Sequence, residues 1–302
     1  MKRLTLFVFI TLASSMLVAQ QQPPPQAQAQ PPAEWQAKYE FGLKYRTASD
    51  LYMALKTAAN TRQSAPRRPL PDWSGVWTSA GFGSLFRAGP TGVAPKLTPA
   101  AAAKLKEGAE LTAKGISYDE NLSECGPAGF PRWLQEPFLR DFAVTADQTW
   151  LINEMVNEIR RIYTDGRGHP PEADRYPLVD GDSIGFWDGQ KLVIHTNQLM
   201  ARSMGRNAPE QSDRMETVEI WEKVDAGTIT VDVWLFDPAV YLEPWYVQRR
   251  YSQVSNADKN LRIRYWDCSE NPNNAVYKTK DGSTDFKGLT FTDKDKAKEP
   301  RR

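Results

Sequence analysis

The sequence predicts a mainly β chain whose antiparallel strands follow one another as a meander and close into a barrel, with helical additions at the N-terminus. Two observations predict this fold class. From Asp141 onward, short segments with alternating apolar residues are separated by compact turn signals, of which Asp188-Gly189 is the strongest. A long series of strands joined by tight hairpins usually curls and closes on itself.

The strand prediction comes from period-two alternation, as in Ile229, Val231, Val233 and Leu235. Each predicted strand is bounded by a polar or glycine-containing turn. The predicted strands are Phe142–Thr145, Trp150–Met155, Ile159–Thr164, Ser183–Trp187, Lys191–Thr196, Met215–Val224, Thr228–Asp237, Trp245–Val254 and Leu261–Cys268.

The first residues read as a secretory signal. Lys2-Arg3 forms a positive start, Leu4 to Val18 an apolar core, and Ala19 a small residue for cleavage. The alternative is a membrane anchor, but the apolar run is shorter than the ~18–20 residues that a span needs. We therefore expect a periplasmic or secreted protein with no stable membrane span after cleavage.

Composition divides the rest of the chain. A Gln/Pro linker and a helix over Glu34–Asn60 occupy residues 21–71, and the helix is expected to pack outside the β domain or to act as a spacer. The β domain covers residues 72–285. Its helical insertion, residues 98–115, starts at Thr98-Pro99, an N-cap followed by proline at the first helical position. Residues 286–302 form a charged tail.

The charge of the chain limits the classes of partner that we expect, and its two cysteines predict a disulfide. Loss of Lys2 and Arg3 leaves 36 basic against 37 acidic residues, which argues against nucleic acid as a partner. A small-molecule ligand is the partner we expect, whereas the oligomeric state stays open. Cys125 and Cys268 predict a disulfide in an exported protein, and a catalytic thiol is the alternative.

Two stretches resemble known families. Asp72-Trp73-Ser74-Gly75-Val76-Trp77 resembles the Gly-x-Trp opening of lipocalin-like barrels. That resemblance implies that Trp77 closes the barrel base against an arginine from a late strand, for which the candidates are Arg250, Arg262 and Arg264. The insertion between Gly81 and Arg140 departs from an ordinary lipocalin.

The second resemblance is longer. RRIYTDGRGHP (160–170), GDSIGFWDGQKLVIHT (181–196), SDRMETVEIWEK (212–223) and DPAVYLEPW (237–245) resemble an uncharacterised family of secreted bacterial proteins. The similarity runs from about Asp72 to Asn271 and implies no established activity. The chain departs from the family at Gln211, where histidine is common, and at His195, where aspartate is usual.

A catalytic hypothesis centres on His169, because histidine titrates near neutrality and is the commonest general acid–base. Asp165 or Asp182 would orient its imidazole, and Arg161 with Tyr163 would stabilise developing negative charge. The alternative is that Asp165-Gly166-Arg167 is only a surface turn.

Strand alternation places Arg160 and Arg161 on opposite faces, so one of them is expected inside the barrel. A buried guanidinium requires a carboxylate partner, and Glu154, Glu219 and Asp232 are the candidates. An internal structural pair and a ligand-binding arginine are both open interpretations.

The candidate ligand-binding residues are aromatic or charged. An apolar pocket in the barrel lumen would use several tryptophans, although ordinary core is the simpler interpretation. His195 is either lumen-facing or solvated. The candidates are Trp187, Trp221, Trp234, Trp245, Glu154 and Arg167.

No cofactor and no metal is expected. The two histidines lie on separate elements, which argues against zinc, and no phosphate-binding or dinucleotide motif occurs in a fitting context. A weak alternative is a calcium site at Asp180 and Asp182.

Three functions are consistent with these residues. The first is an exported binder of a small apolar or aromatic molecule in the barrel. The second is a cofactor-independent lyase, isomerase or hydrolase with His169 as acid–base, and the third is a structural envelope protein. An enzyme requires His169 beside a carboxylate at a pocket mouth, whereas a binder requires an enclosed aromatic site.

Overall fold

A computed structural model describes the chain over residues 33–62, 69–79, 93–114, 125–205, 208–254, 258, 260–267, 274–278 and 284–288. The chain divides into two compact units, Met1–Gln30 and Pro31–Arg302, and every described residue belongs to the second. Over these residues, no helix combines the length and the apolar character needed to cross a bilayer. The expected signal, Cys268 and most of the charged tail lie outside the described residues.

Nine strands close into a single barrel in the order β1-β11-β10-β9-β6-β5-β4-β3-β2, which confirms the predicted fold class of a mainly β chain that closes into a barrel. The short hairpin β7–β8 and the separate pair β12–β13 lie outside this ring. The strands are β1 Trp77–Ser79, β2 Arg140–Val144, β3 Gln148–Asn153, β4 Glu158–Tyr163, β5 Asp182–Asp188, β6 Lys191–Asn197, β7 Arg202–Ser203, β8 Glu210–Gln211, β9 Glu216–Asp225, β10 Thr228–Phe236, β11 Trp245–Gln253, β12 Asn274–Lys278 and β13 Thr284–Gly288.

The structure departs from the strand prediction in three places. Strands β4 and β5 pair in parallel, because the 18-residue connection between them crosses to the other end of the barrel. The β5–β6 turn is Gly189-Gln190, one residue later than predicted, since Asp188 pairs with Lys191 and Gly189 takes the positive φ of 65°. The prediction of a strand at Leu261–Cys268 is wrong for residues 261–267, which form no strand.

The predicted N-terminal helix is two helices, α1 (Ala33–Gly42) and α2 (Ala48–Thr61). Gly42 ends α1 where it meets the Trp234 ring, because a Cβ at this position would lie 2.3 Å from Cδ1 of that ring. Thr47 then caps α2 by accepting a hydrogen bond of 3.0 Å from the backbone N–H of Asp50. The insertion forms α3 (Pro99–Ala113), with Thr98 as its cap.

Helices α1 and α2 pack on the outer face of the barrel, as one of the two sequence interpretations expected. Trp35 of α1 contacts Tyr246 at 5.3 Å between ring centroids, and Tyr52 of α2 contacts Phe186 at 5.4 Å. Lys38 reaches Asp232 at 2.6 Å and adds an ion pair to this contact. The strands beneath the helices are therefore apolar on both faces, as in the continuous buried run of β6.

The barrel interior is filled by aromatic side chains that touch one another. Trp221 stacks on Tyr251 at 5.5 Å between centroids and lies 6.1 Å from Trp73. Trp73 in turn lies 5.6 Å from Trp187. Tryptophan rings in such tilted contact contribute both apolar burial and favourable ring geometry, so they form the core.

The arginine expected against Trp77 is not among the proposed candidates. Arg250, Arg262 and Arg264 are exposed, because each lies on an outward-facing or unpaired position. Trp77 is fully buried and has Lys223 Nζ 5.5 Å from its ring centroid. Two cations thus lie beside the closing strand: Lys223 of β9, near the Trp77 ring, and Arg249 of the late strand β11, whose Nη2 donates to Ser79 Oγ at 2.7 Å.

A buried ion pair lies inside the barrel between β4 and β9. Arg160 donates to both carboxylate oxygens of Glu219, at 2.9 and 2.5 Å, and both side chains are almost completely buried. Its Nη2 also donates to Thr196 at 2.7 Å. Phe130 covers the guanidinium at 3.6 Å from the ring centroid. The pair therefore ties together three strands across the interior.

We predict that Arg160→Met lowers the free energy of unfolding by about 3–5 kcal/mol in urea denaturation, because it leaves Glu219 buried without its counter-charge. Arg161→Met is the matched control. Arg161 is the next residue on β4 but is exposed on the opposite face, so we expect a change within about 0.5 kcal/mol. Equal losses for the two variants would contradict the interior placement of Arg160.

Candidate functional site

The candidate site lies at one end of the barrel, where β5 begins, β6 ends and β9 begins. Antiparallel pairing brings these positions together, since His195 pairs with Ile184 on one side and with Val218 on the other. Asp182 starts β5 and Glu216 starts β9. The β4–β5 connection adds His169. We call this end of the barrel the site rim.

Four side chains on the outer face of the site rim form one hydrogen-bonded chain. Asp182 Oδ1 is hydrogen-bonded to Nδ1 of His169. The Nε2 of His169 lies 2.9 Å from Nδ1 of His195, and Nε2 of His195 lies 3.0 Å from Oε2 of Glu216. Both imidazoles therefore lie between two carboxylates.

The number of hydrogen bonds sets the number of protons that the chain needs. Three bonds join four ring nitrogens, and an ionised carboxylate can only accept. Each bond then requires one proton, which is one more than two neutral imidazoles carry. A chain with all three bonds therefore requires a third proton on one of its four groups.

Every ring nitrogen is occupied in this arrangement. His169 uses its two nitrogens for Asp182 and His195, and His195 uses its own for His169 and Glu216. Neither imidazole can therefore touch a substrate without breaking an existing bond. Glu216, whose side chain is 37% exposed, is the most solvent-accessible member of the chain, and Asp182 is 17% exposed.

Helix α2 covers His195. Tyr52 stacks on His195 at 5.4 Å between centroids and 28° between ring planes. Burial raises the pKa of Tyr52 to about 12, so its phenol stays neutral. His195 points away from the lumen and is nevertheless buried, because Tyr52 covers it. This corrects the sequence prediction, which allowed only a lumen-facing or a solvated His195.

A groove adjoins Glu216 on the same side of the barrel. Its volume is about 250 Å³, and it lies between the start of α2 and the connection from β10 to β11. Leu97 forms an isolated bridge with Tyr241, and Leu242 N–H donates to Lys96 O at 2.8 Å, so this connection is held in place. The groove is lined by Arg46, Thr47, Ala48, Arg214, Glu216, Phe236, Asp237, Pro238, Tyr241, Leu242, Glu243 and Pro244.

A second polar cluster lies on the inner side of the barrel. Glu158 accepts from Gly129 N–H at 2.7 Å and from Ala128 N–H at 3.2 Å. Burial, together with the negative charge of Asp180, raises the pKa of Glu158 to about 8. Burial also raises the pKa of Asp180. One carboxyl of this pair is therefore protonated near neutral pH.

The other proposed catalytic residues are not part of the hydrogen-bonded chain. Asp165 forms a pair with Arg167, at 2.6 Å, at an exposed turn and does not orient His169. Arg167 also lies over Tyr163, at 4.3 Å from the ring centroid. Arg161 is exposed on the outer face of β4. Of the two carboxylates proposed for His169, the structure brings Asp182 to it.

The proposed ligand-binding tryptophans separate into two groups. Trp187, Trp221 and Trp245 belong to the interior core cluster. Trp234 does not face the lumen, because it lies on the outer face and donates to Lys38 O of α1 at 3.0 Å. Glu154 also lies outside the barrel, where it accepts from Arg264 N–H at 3.1 Å.

The two histidines lie on separate elements, as expected from sequence, and the structure nevertheless brings their rings into contact. Their nitrogens nevertheless point at one another and at two separate carboxylates rather than at one common point. Within the described ranges, no set of three or more His, Cys, Asp and Glu side chains could hold a metal ion.

Sequence reasoning missed Glu216, Tyr52 and Tyr241. Glu216 could have been found from hairpin register, because a strand that starts beside the end of β6 brings its first side chain near His195. The contact of Tyr52 depends on how α2 docks, and that of Tyr241 depends on a loop. No local pattern predicts either contact.

Comparisons with known proteins add little to this geometry. No family model matches the chain, and no curated protein matches it significantly. Among solved structures, the chain is similar to a point mutant of the fluorescent protein UnaG, with 16% identity over 60% of this chain and 96% of that chain. The TM-score is 0.28, so the fold assignment rests on strand pairing alone.

We predict that Glu158→Gln makes stability less dependent on pH. The folded pKa of Glu158, about 8, exceeds its ordinary value of 4.5, so the stability from protonated Glu158 is present below about pH 4.5 and is lost as the pH rises through 8. A glutamine cannot ionise, so the melting temperature of the variant should fall less between about pH 5 and pH 8.

The exposed Glu172→Gln is the control for this measurement and should follow the unmodified protein. Parallel melting curves for Glu158→Gln and the unmodified protein across this range would show that Glu158 ionises normally.

Proposed function

We propose that this protein binds a small molecule in the groove between the start of α2 and the β10–β11 connection. The observation that carries the proposal is an apolar wall left open to solvent at this place. Leu242 is 65% exposed there, beside Phe236 and two prolines. An apolar side chain that borders a concave surface is covered when a ligand binds, and its burial stabilises the complex.

The groove supports this role better than the barrel lumen. The interior rings of Trp73, Trp187 and Trp221 contact each other, and the Arg160–Glu219 pair occupies the space beside them. A ligand between these rings would have to displace close-packed core, which is energetically costly. The groove requires no such displacement.

The volume of the groove is suited to a ligand at the small end of the organic range. About 250 Å³ is slightly below the ~300–1,000 Å³ of typical ligand pockets. Phe236 and Leu242 supply the apolar contact, and Tyr241 supplies an aromatic ring. We therefore propose an apolar or aromatic body as the ligand, and this retains the ligand class expected from sequence.

Export is part of the proposal. The positive start and apolar run of the first residues support cleavage of a signal, as in the uncharacterised secreted family that the chain resembles. An oxidising compartment would also permit the proposed Cys125–Cys268 disulfide. N-terminal sequencing of the periplasmic fraction, with thiol titration before and after reduction, tests both points.

We predict that the neutral dye N-phenyl-1-naphthylamine binds the purified protein and that Leu242→Asp weakens binding about tenfold or more. Aspartate at this position removes apolar contact area and adds charge. The readout is dye fluorescence during titration. Val224→Asp is the matched control, since Val224 is 49% exposed at the far end of β9. Absence of dye binding to the unmodified protein would refute groove binding.

A second candidate function is acid–base catalysis on the bound molecule through Glu216. The specific observation is that Glu216 both lines the groove and ends the chain through His195. Glu216 would then act as the base that accepts a proton from the bound molecule, and the histidines would not touch the substrate directly. This refines the proposal that His169 is the acid–base group.

We predict for this second function that Glu216→Gln keeps ligand binding and lowers turnover by about 10²–10⁴-fold, the usual contribution of a general acid–base. Compounds that displace the neutral dye are incubated with the protein, and products are followed by mass spectrometry. Glu222→Gln, on the same strand, is the control. Equal turnover by Glu216→Gln would exclude this residue as the catalytic group.

A further inference from the structure

The charged groups of the groove are unequally satisfied. Asp237 accepts from Ser212 N–H and from Ser212 Oγ–H, at 2.8 and 2.7 Å, and from Ala239 N–H at 3.1 Å. Glu243 is bound by Lys96, at 2.8 Å, and by the hydroxyl of Tyr39. Glu216 is bound by His195. Each carboxylate that lines the groove is therefore already engaged by the protein.

The two arginines that line the groove are in the opposite situation. Arg46 precedes α2 and Arg214 precedes β9, and both side chains are exposed. Within the described part of the chain, neither guanidinium group has a hydrogen-bond or ion-pair partner. The adjacent first residue of α2, Ala48, adds the partial positive charge of a helix N-terminus. The charged side chains of the groove that lack a partner are thus both positive.

A buried hydroxyl beside the groove also favours a ligand that carries an acceptor atom. Tyr241 lines the groove and is only 4% exposed, and its hydroxyl has no hydrogen-bond partner in the described structure. Burial, with Asp237 nearby, raises the pKa of Tyr241 well above its usual range, so the phenol keeps its proton. A buried hydroxyl without a partner is costly, and an acceptor atom on a ligand would satisfy it.

We propose that the ligand is an organic acid whose anionic group is bound by Arg46 and Arg214 and accepts a hydrogen bond from Tyr241. This inference rests on the proposed function and specifies its ligand class. The apolar body of the ligand lies against Phe236 and Leu242. Guanidinium groups bind a carboxylate strongly because they offer paired donors as well as charge.

Two dyes that share one aromatic skeleton test the inference. 8-Anilinonaphthalene-1-sulfonate carries an anionic group that N-phenyl-1-naphthylamine lacks. We expect the double variant Arg46→Gln/Arg214→Gln to weaken binding of the sulfonate about tenfold or more and to change binding of the neutral dye less than about twofold. Added salt should weaken only the sulfonate.

Three controls separate the possible explanations. Arg161→Gln removes an exposed arginine on another strand and should leave both dyes unaffected. Tyr241→Phe should weaken the sulfonate and spare the neutral dye. Circular dichroism checks that each variant is folded. Both arginines are exposed, so their replacement is not expected to disturb the core.

The outcomes distinguish this inference from the proposed function. If both dyes bind and the double variant changes neither affinity, or changes both equally, the anionic class is overturned and groove binding stands. If neither dye binds the unmodified protein, the proposed function fails together with the inference. Displacement of the sulfonate by 1-naphthoate or decanoate supports a carboxylate ligand, and displacement by neither overturns it.

Discussion

The arrangement of the site depends on the apolar contact between the two N-terminal helices and the outer face of the barrel. Strands β5, β6, β9, β10 and β11 present apolar residues outward as well as inward, so they require a cover. Helices α1 and α2 provide it through Trp35, Tyr52 and the ring contacts that these residues make. Without this cover, His195 would face solvent and the groove would lose one of its walls.

The same contact explains why polar chemistry lies outside the barrel. Inside, Arg160 and Glu219 satisfy each other and the remaining space is aromatic. Such a pair fixes strand positions, but it leaves little charge for a ligand. Outside, α2 covers His195 and leaves the groove open, so charged groups remain exposed there. The inner face of the barrel sheet thus holds the packed core, and its outer face holds the candidate site.

Much of the barrel could be predicted from sequence, because alternation and turn residues are local signals. The predicted strands from Phe142–Thr145 to Trp245–Val254 end within two residues of the observed ones. The parallel β4–β5 pair could not be predicted, since parallel pairing depends on where a long connection crosses. Alternation also could not identify two-sided burial, which depends on the docking of separate helices.

The candidate site was predicted less completely for a related reason. The contact of His169 with Asp182 was among the expected alternatives, because the two residues flank one loop. Its contact with His195 was not, because the two residues lie 26 positions apart and meet only when β4, β5 and β6 pair. Arg46 and Arg214 carry no motif at all, and only the position of the groove between them suggests a role.

The central claim is that the ligand lies in the outer groove rather than in the lumen. Methyl NMR of the protein titrated with N-phenyl-1-naphthylamine tests it most directly. The account predicts shift changes at Ala48 and Leu242, which line the groove, with little change at the interior methyls of Leu192 and Ile194. Changes centred on Leu192 and Ile194, with Ala48 and Leu242 unaffected, would place the ligand inside the barrel and contradict the account.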